Sequence, residues 1–251
     1  MDLRLYNADF TVIDETADRI VVDKPPHLMV HPSVPGNPPT LWDGLRELLA
    51  FEIANGGRLS IITRLDRETS GVVLVAKHGE AARVLHEAMR RGEFRKEYEA
   101  IVWGWPREDV FEVEAPLIRR GEVEASPVWV RQTVHPRGKP SRTRFRVRER
   151  FERATSNGDR FARLACEPVT GRMHQIRAHL QHAGFPIVGD KLYGPGEDCY
   201  LTFIETGWTP DLEGRLLLNR QALHAGRLGW GDLVWESPLP ADLQSFMDRN
   251  P

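Results

Sequence analysis

Two short stretches hold the side chains best suited to chemistry. In Arg64-Leu65-Asp66-Arg67-Glu68-Thr69-Ser70-Gly71 one carboxylate sits between two arginines in a polar turn. Ser70-Gly71 leads directly into Val72-Val73-Leu74-Val75-Ala76, an apolar, β-branched run that predicts a buried strand. Asp66 is thereby an anionic, reactive group at the mouth of a rigid element, among cations. An ionised carboxylate between guanidiniums suggests chemistry on a nucleic acid more than it does a random surface acid. The second stretch, 169–180, is dense in donors. Arg172, His174, Gln175 and Arg177 could satisfy phosphates, base edges or a carboxylate. Arg177 follows His174 by one helical turn. The bland reading of this stretch is a helix start with solvated polar groups.

Each stretch needs a scaffold. Residues 41–54 have helical spacing (Leu41, Leu45, Leu48, Leu49) and stop at Asn55-Gly56-Gly57. Residues 80–91 predict an amphipathic helix with Ala81, Val84, Leu85 and Ala88 on one face and Gly92 after it. Residues 20–23 and 96–103 read as strands, the first ending at Lys24-Pro25-Pro26, and 31–40 as a Pro-rich loop. Residues 161–167 predict a strand, 173–183 a helix, 194–214 an irregular insertion, and 222–228 and 233–237 two late strands. Strands and helices interleave without a βαβ rhythm. The expected class is α+β, a mixed, largely antiparallel sheet flanked by helices.

The clearest strand covers 141–151. Arg142, Arg144, Arg146, Arg148 and Arg150 share one face, and Thr143, Phe145, Val147 and Phe151 the other. A solvated outer face is the ordinary explanation of such a row. Five like charges repel, however, so an anionic partner or acidic neighbours must relieve them. The bulk charge is only −2, with 29 Arg and 5 Lys, so composition alone does not announce a nucleic-acid binder. Placement says more, because 131–153 holds nine Arg and Lys against two Glu.

Several classes are excluded. No phosphate-binding glycine loop, dinucleotide fingerprint or serine-nucleophile elbow is present. Two cysteines are too few for a disulfide framework, and a reducing cytoplasm is the expected compartment. Residues 1–10 have no leader pattern, and no run approaches membrane length. His174, His179 and His182 lack the spacing of a helical zinc site. The expectation is chemistry by side chains alone, with no metal and no cofactor. A non-catalytic RNA-binding protein is one competing reading. A glycoside hydrolase is the other, and it would need a second carboxylate, for which only Glu68 is near.

The ordered set RLDRETSG, KEYEAIVWG, TGRMHQIRAHL, GFPIVGDKLYG and Leu223-His224-Ala225, after a VDKPP start, resembles the RluA-type pseudouridine synthases across 20–240. The resemblance implies an enzyme that isomerises uridine to pseudouridine in ribosomal or transfer RNA. It also implies a bent mixed sheet with a central catalytic cleft. Position by position, Asp66 matches the family's essential aspartate, Tyr98 the tyrosine that stacks on the target base, and Arg177 the arginine that pairs with the aspartate. The family's usual histidine before Arg-Leu-Asp is Thr63 here. The motifs begin by residue 20, so the expectation is a single catalytic domain over 1–251 without an N-terminal S4-type RNA-binding domain.

On this reading the target uridine leaves its stack and Tyr98 receives it. The residues leave open attack at C1′, attack on the ring, and elimination to a glycal. Arg64, Arg67, Arg172, His174, Gln175, Arg142 and Arg144 are the expected RNA contacts. The partner is a stem-loop uridine in RNA, met by a monomer.

Overall fold

A computed structural model describes residues 10–32, 39–196 and 198–248. The strands are β1 (Thr11–Glu15), β2 (Arg19–Lys24), β3 (Ser60–Ile61), β4 (Ser70–Ala76), β5 (Phe94–Trp103), β6 (Val110–Glu114), β7 (Leu117–Arg119), β8 (Gln132–Val134), β9 (Arg142–Glu152), β10 (Arg160–Pro168), β11 (Leu223–Trp230) and β12 (Leu233–Glu236). The helices are α1 (Leu41–Leu48), α2 (Ala50–Ala54), α3 (Gly79–Arg90), α4 (Gln175–His182), α5 (Asp198–Thr206), α6 (Pro210–Leu216) and α7 (Ala241–Met247). Among the described residues no helix is long and apolar enough to cross a membrane.

The chain divides into two compact units. The first comprises 1–96 and 225–238, the second 97–224 and 239–251. In the first, β2 pairs antiparallel with β1 and β4, and β3 with β4. β4 is buried at every position, as its unbroken apolar run requires. The amphipathic α3 joins Ala81, Leu85 and Ala88 to Val72, Leu74, Leu228 and Trp235 in one core. Gly71 has φ +115°, and a Cβ there would lie 2.2 Å from the Ala225 carbonyl oxygen. Only glycine admits that approach of the β11 backbone.

In the second unit β10 pairs antiparallel with β5 and β9, and β9 with β6. Phe145, Phe151, Phe161 and Leu164 meet Ile176 and Leu180 of α4 and Phe246 of α7 in the core. All these pairings are antiparallel, and the helices pack beside them, as the α+β reading expects.

Two readings change. The 194–214 stretch is not irregular: α5 and α6 form within it around Cys199, Leu212 and Leu216. Thr209 caps α6 by accepting from the Leu212 amide, and Pro210 stands at its first position. The 41–54 helix is broken at Leu49 into α1 and α2. Part of the expected 31–40 loop, residues 33–38, lies outside the described residues.

Candidate active site

In the first unit the Asp66 turn is tied down from below. Lys24 is fully buried, and its ammonium donates to the carbonyls of Pro25 (2.7 Å), Leu28 (2.9 Å) and Arg67 (3.2 Å). A buried cation is tolerated only when such acceptors replace its water. The Thr69 amide donates to the Asp66 carbonyl at 3.1 Å and closes the turn. Leu65 and Thr69 point inward, whereas Arg64 and Arg67 are exposed and Asp66 is half-buried. Arg67 Nε donates to the His27 carbonyl at 3.3 Å. Burial, and then the Arg64 charge, hold the His31 pKa below its ordinary value.

Thr63, where the histidine was expected, takes a structural part. Its Oγ1 accepts the Leu74 amide at 2.8 Å, and its own amide donates to the Leu74 carbonyl at 3.3 Å. The side chain thus satisfies a backbone donor of β4, four residues beyond Ser70.

The second unit builds the other half of the motif set. Tyr98 lies on β5 opposite Cys166 of β10, half-buried against the main core. Next to it Glu99 pairs with Arg163. Arg177, on α4, makes a two-pronged ion pair. Its Nε donates to Asp190 Oδ2 at 2.7 Å and its Nη2 to Asp190 Oδ1 at 2.9 Å. Asp190 Oδ1 also accepts the amides of Leu192 and Tyr193, both at 3.0 Å. Burial drives the Asp190 carboxyl upward. The Arg177 charge and hydrogen bonds, with those two amides, outweigh it and hold the pKa below the usual value.

Tyr193 completes the mount. Its ring lies 5.0 Å from the Arg177 guanidinium carbon. Its hydroxyl accepts the Gln132 amide at 2.7 Å and meets His174 Nδ1 at 3.0 Å. His174 has φ 54°, a left-handed conformation that delays the start of α4 to Gln175.

The expected RNA contacts divide into two kinds. Arg172 is exposed, and its Nε donates to the Pro140 carbonyl at 3.3 Å. Gln175 is buried and engaged inside the unit. Its Oε1 accepts from Thr170 Oγ1 (2.6 Å) and the Arg172 amide (3.0 Å), and its Nε2 donates to the Arg142 carbonyl and Thr143 Oγ1, both at 2.9 Å. It therefore positions Arg142 and Arg172. His179 is also interior rather than on the helix surface. Nδ1 meets Thr143 Oγ1 and Nε2 meets the Ala115 carbonyl, both at 2.9 Å.

Sequence reasoning gave no role to Lys24, Asp190 or Tyr193. All three lie inside quoted motifs, VDKPP and GDKLYG, so the signal was present without a partner to interpret it.

The model of the RNA pseudouridylate synthase family matches residues 18–182, and the chain belongs to that family. It is 38% identical over 233 residues to an uncharacterised RNA pseudouridine synthase of Chloroflexus aurantiacus, covering 88% of this chain and 63% of that protein. Against the ribosomal large subunit pseudouridine synthase C of Salmonella typhi it is 42% identical over 192 residues, 76% of this chain and 56% of the relative. The chain thus spans less than two thirds of these relatives' lengths. Human RNA pseudouridylate synthase domain containing 4 shares the fold, with a TM-score of 0.69 at 23% identity over 93% of this chain and 90% of the other.

Proposed function

We propose that the protein is an RNA pseudouridine synthase, acting on uridine in ribosomal or transfer RNA, with 1–251 working as one catalytic domain. The observation that carries this is the mounting of Asp66. A half-buried carboxylate stands in a turn held by a buried ammonium, inside the segment that matches the family. The reaction breaks N1–C1′, turns the uracil, joins C5 to C1′ and releases the C5 proton while N1 takes one up. It is redox-neutral. A carboxylate can serve it as nucleophile or as base at the sugar.

Tyr98 is the proposed stacking surface for the flipped base, worth roughly 1–3 kcal/mol against a few for unstacking. Arg177 is the proposed partner of the catalytic carboxylate. Its clamp on Asp190 supports a guanidinium kept in one orientation. Arg64, Arg67, Arg142, Arg144, Arg172 and His174 are the proposed RNA contacts, with Gln175 fixing two of them.

The test is Asp66→Asn assayed on RNA tritiated at uridine C5. The expected result is intact RNA binding with no tritium release. Release at the wild-type level would refute the mechanism.

A further inference from the structure

We infer that the arm formed by β7 and β8 grips single-stranded RNA through Trp129, whose indole stacks on a nucleobase. This rests on the reading of RNA as substrate and adds a contact that none of the recognised motifs contains.

The arm is firmly rooted. Leu117 and Val128 are buried with Ala178 of α4, Leu192 and Tyr193. The Gln132 amide is bound by the Tyr193 hydroxyl at 2.7 Å. Trp129 lies between these two anchors, Val128 and Gln132, yet its side chain is 63% exposed. Tryptophan is on average a largely buried residue. It is not loose, because Arg119 places its guanidinium carbon 5.1 Å from the indole centroid. Gly121 adds no side chain there, and a Cβ at that position would lie 3.7 Å from the benzo edge. A rigid aromatic surface displayed from a fixed base loses little entropy on binding.

The surroundings select the occupant. Residues 116–139 carry five Arg and Lys (Arg119, Arg120, Arg131, Arg137, Lys139) against two Glu, and Arg120 is paired with Glu124. A nucleotide matches this pattern, with its base against the indole and its phosphate against the guanidiniums. An apolar protein surface would instead face a rim with a net excess of positive side chains. The arm also ends where the proposed RNA contacts begin: Arg172 Nε donates to the Pro140 carbonyl, and Gln175 Nε2 to that of Arg142.

The experiment measures fluorescence anisotropy of a labelled single-stranded oligouridylate and of a matched RNA duplex. The parent is the full chain carrying Asp66→Asn, so that no turnover occurs. Adding Trp129→Ala is expected to weaken single-strand binding about five- to a hundredfold, the range of one base–aromatic stack. Duplex affinity is expected to change much less, and Trp129→Phe to restore most of the loss. Phe51→Ala, which removes an 80% exposed ring on α2, is the control expected to change neither. Unchanged single-strand affinity in Trp129→Ala, or an equal loss on duplex, overturns the inference. Failure of the parent to bind any RNA refutes the functional reading itself.

Discussion

Two arginine sites in the second unit show how burial changes what one side chain does. Arg177 is buried against a fully buried Asp190, in a two-pronged pair whose acceptor also takes two backbone amides. On β9 the row from Arg142 to Arg150 is largely exposed. There Arg144 pairs with Glu112 at 2.8 Å, Arg148 with Glu97 at 3.0 Å and Arg150 with Asp109 at 2.7 Å. Acidic neighbours on β5, β6 and the turn before β6 thus relieve the repulsion expected of five like charges. The buried pair is costly to break and orients one guanidinium. The surface ladder is cheap to break and orients nothing in particular.

Removing Asp190 should have the largest effect. Asp190→Ala removes the two-pronged partner of the buried Arg177 guanidinium, and breaking a buried pair costs about 3–5 kcal/mol. Urea unfolding of the full chain should show a loss of that size. A loss below about 1 kcal/mol would place the two arginine sites in the same class.

A second, smaller difference should appear on acidification. The folded pKa of Asp190 is held below its ordinary value, chiefly by the Arg177 charge acting against burial. The unfolded carboxyl titrates near about 3.9. Between the two values the unfolded chain binds the extra proton, so stability falls as pH falls. The contribution is complete above the unfolded value and vanishes once pH drops through the folded one. Asp190→Asn should therefore flatten the acid limb of the stability curve below about pH 4. An unchanged limb would show that Asp190 titrates normally in the folded protein.

The same contrast explains what could be read from sequence. The β9 row was legible because period-2 charge along one strand is local information. So were the Asp66 turn and its strand, where Gly71 and the apolar run are contiguous. Asp190 was not, because it lies thirteen residues from Arg177 and no periodicity links a carboxylate to a guanidinium across a helix and a loop. Lys24 meets Arg67 from forty-three residues away. The left-handed His174 at the head of α4 and the short helices α5 and α6 were hidden for a related reason. Beyond the local Thr209–Pro210 start of α6, their stability comes from tertiary contacts, such as the Tyr193 hydroxyl and the Cys199–Leu212–Leu216 cluster.

The smallest effect lies within the row itself and separates two proposed RNA contacts. Arg144 is exposed and already faces Glu112, whereas no acidic side chain pairs with Arg142 among the described residues. Arg142 is also held at its backbone, where its carbonyl accepts Gln175 Nε2 and its amide donates to Thr170 Oγ1. Each phosphate neutralised on a single strand adds about 0.7 to the slope of log K against log salt. Arg142→Gln should therefore reduce that slope by about 0.7. Arg144→Gln should reduce it less, because its charge is offset before RNA arrives, and should alter stability by under about 1 kcal/mol. Equal reductions would mean that RNA displaces Glu112 and recruits the ladder. In that case the exposed row would be part of the binding face, and the difference between the two regions would be one of strength alone.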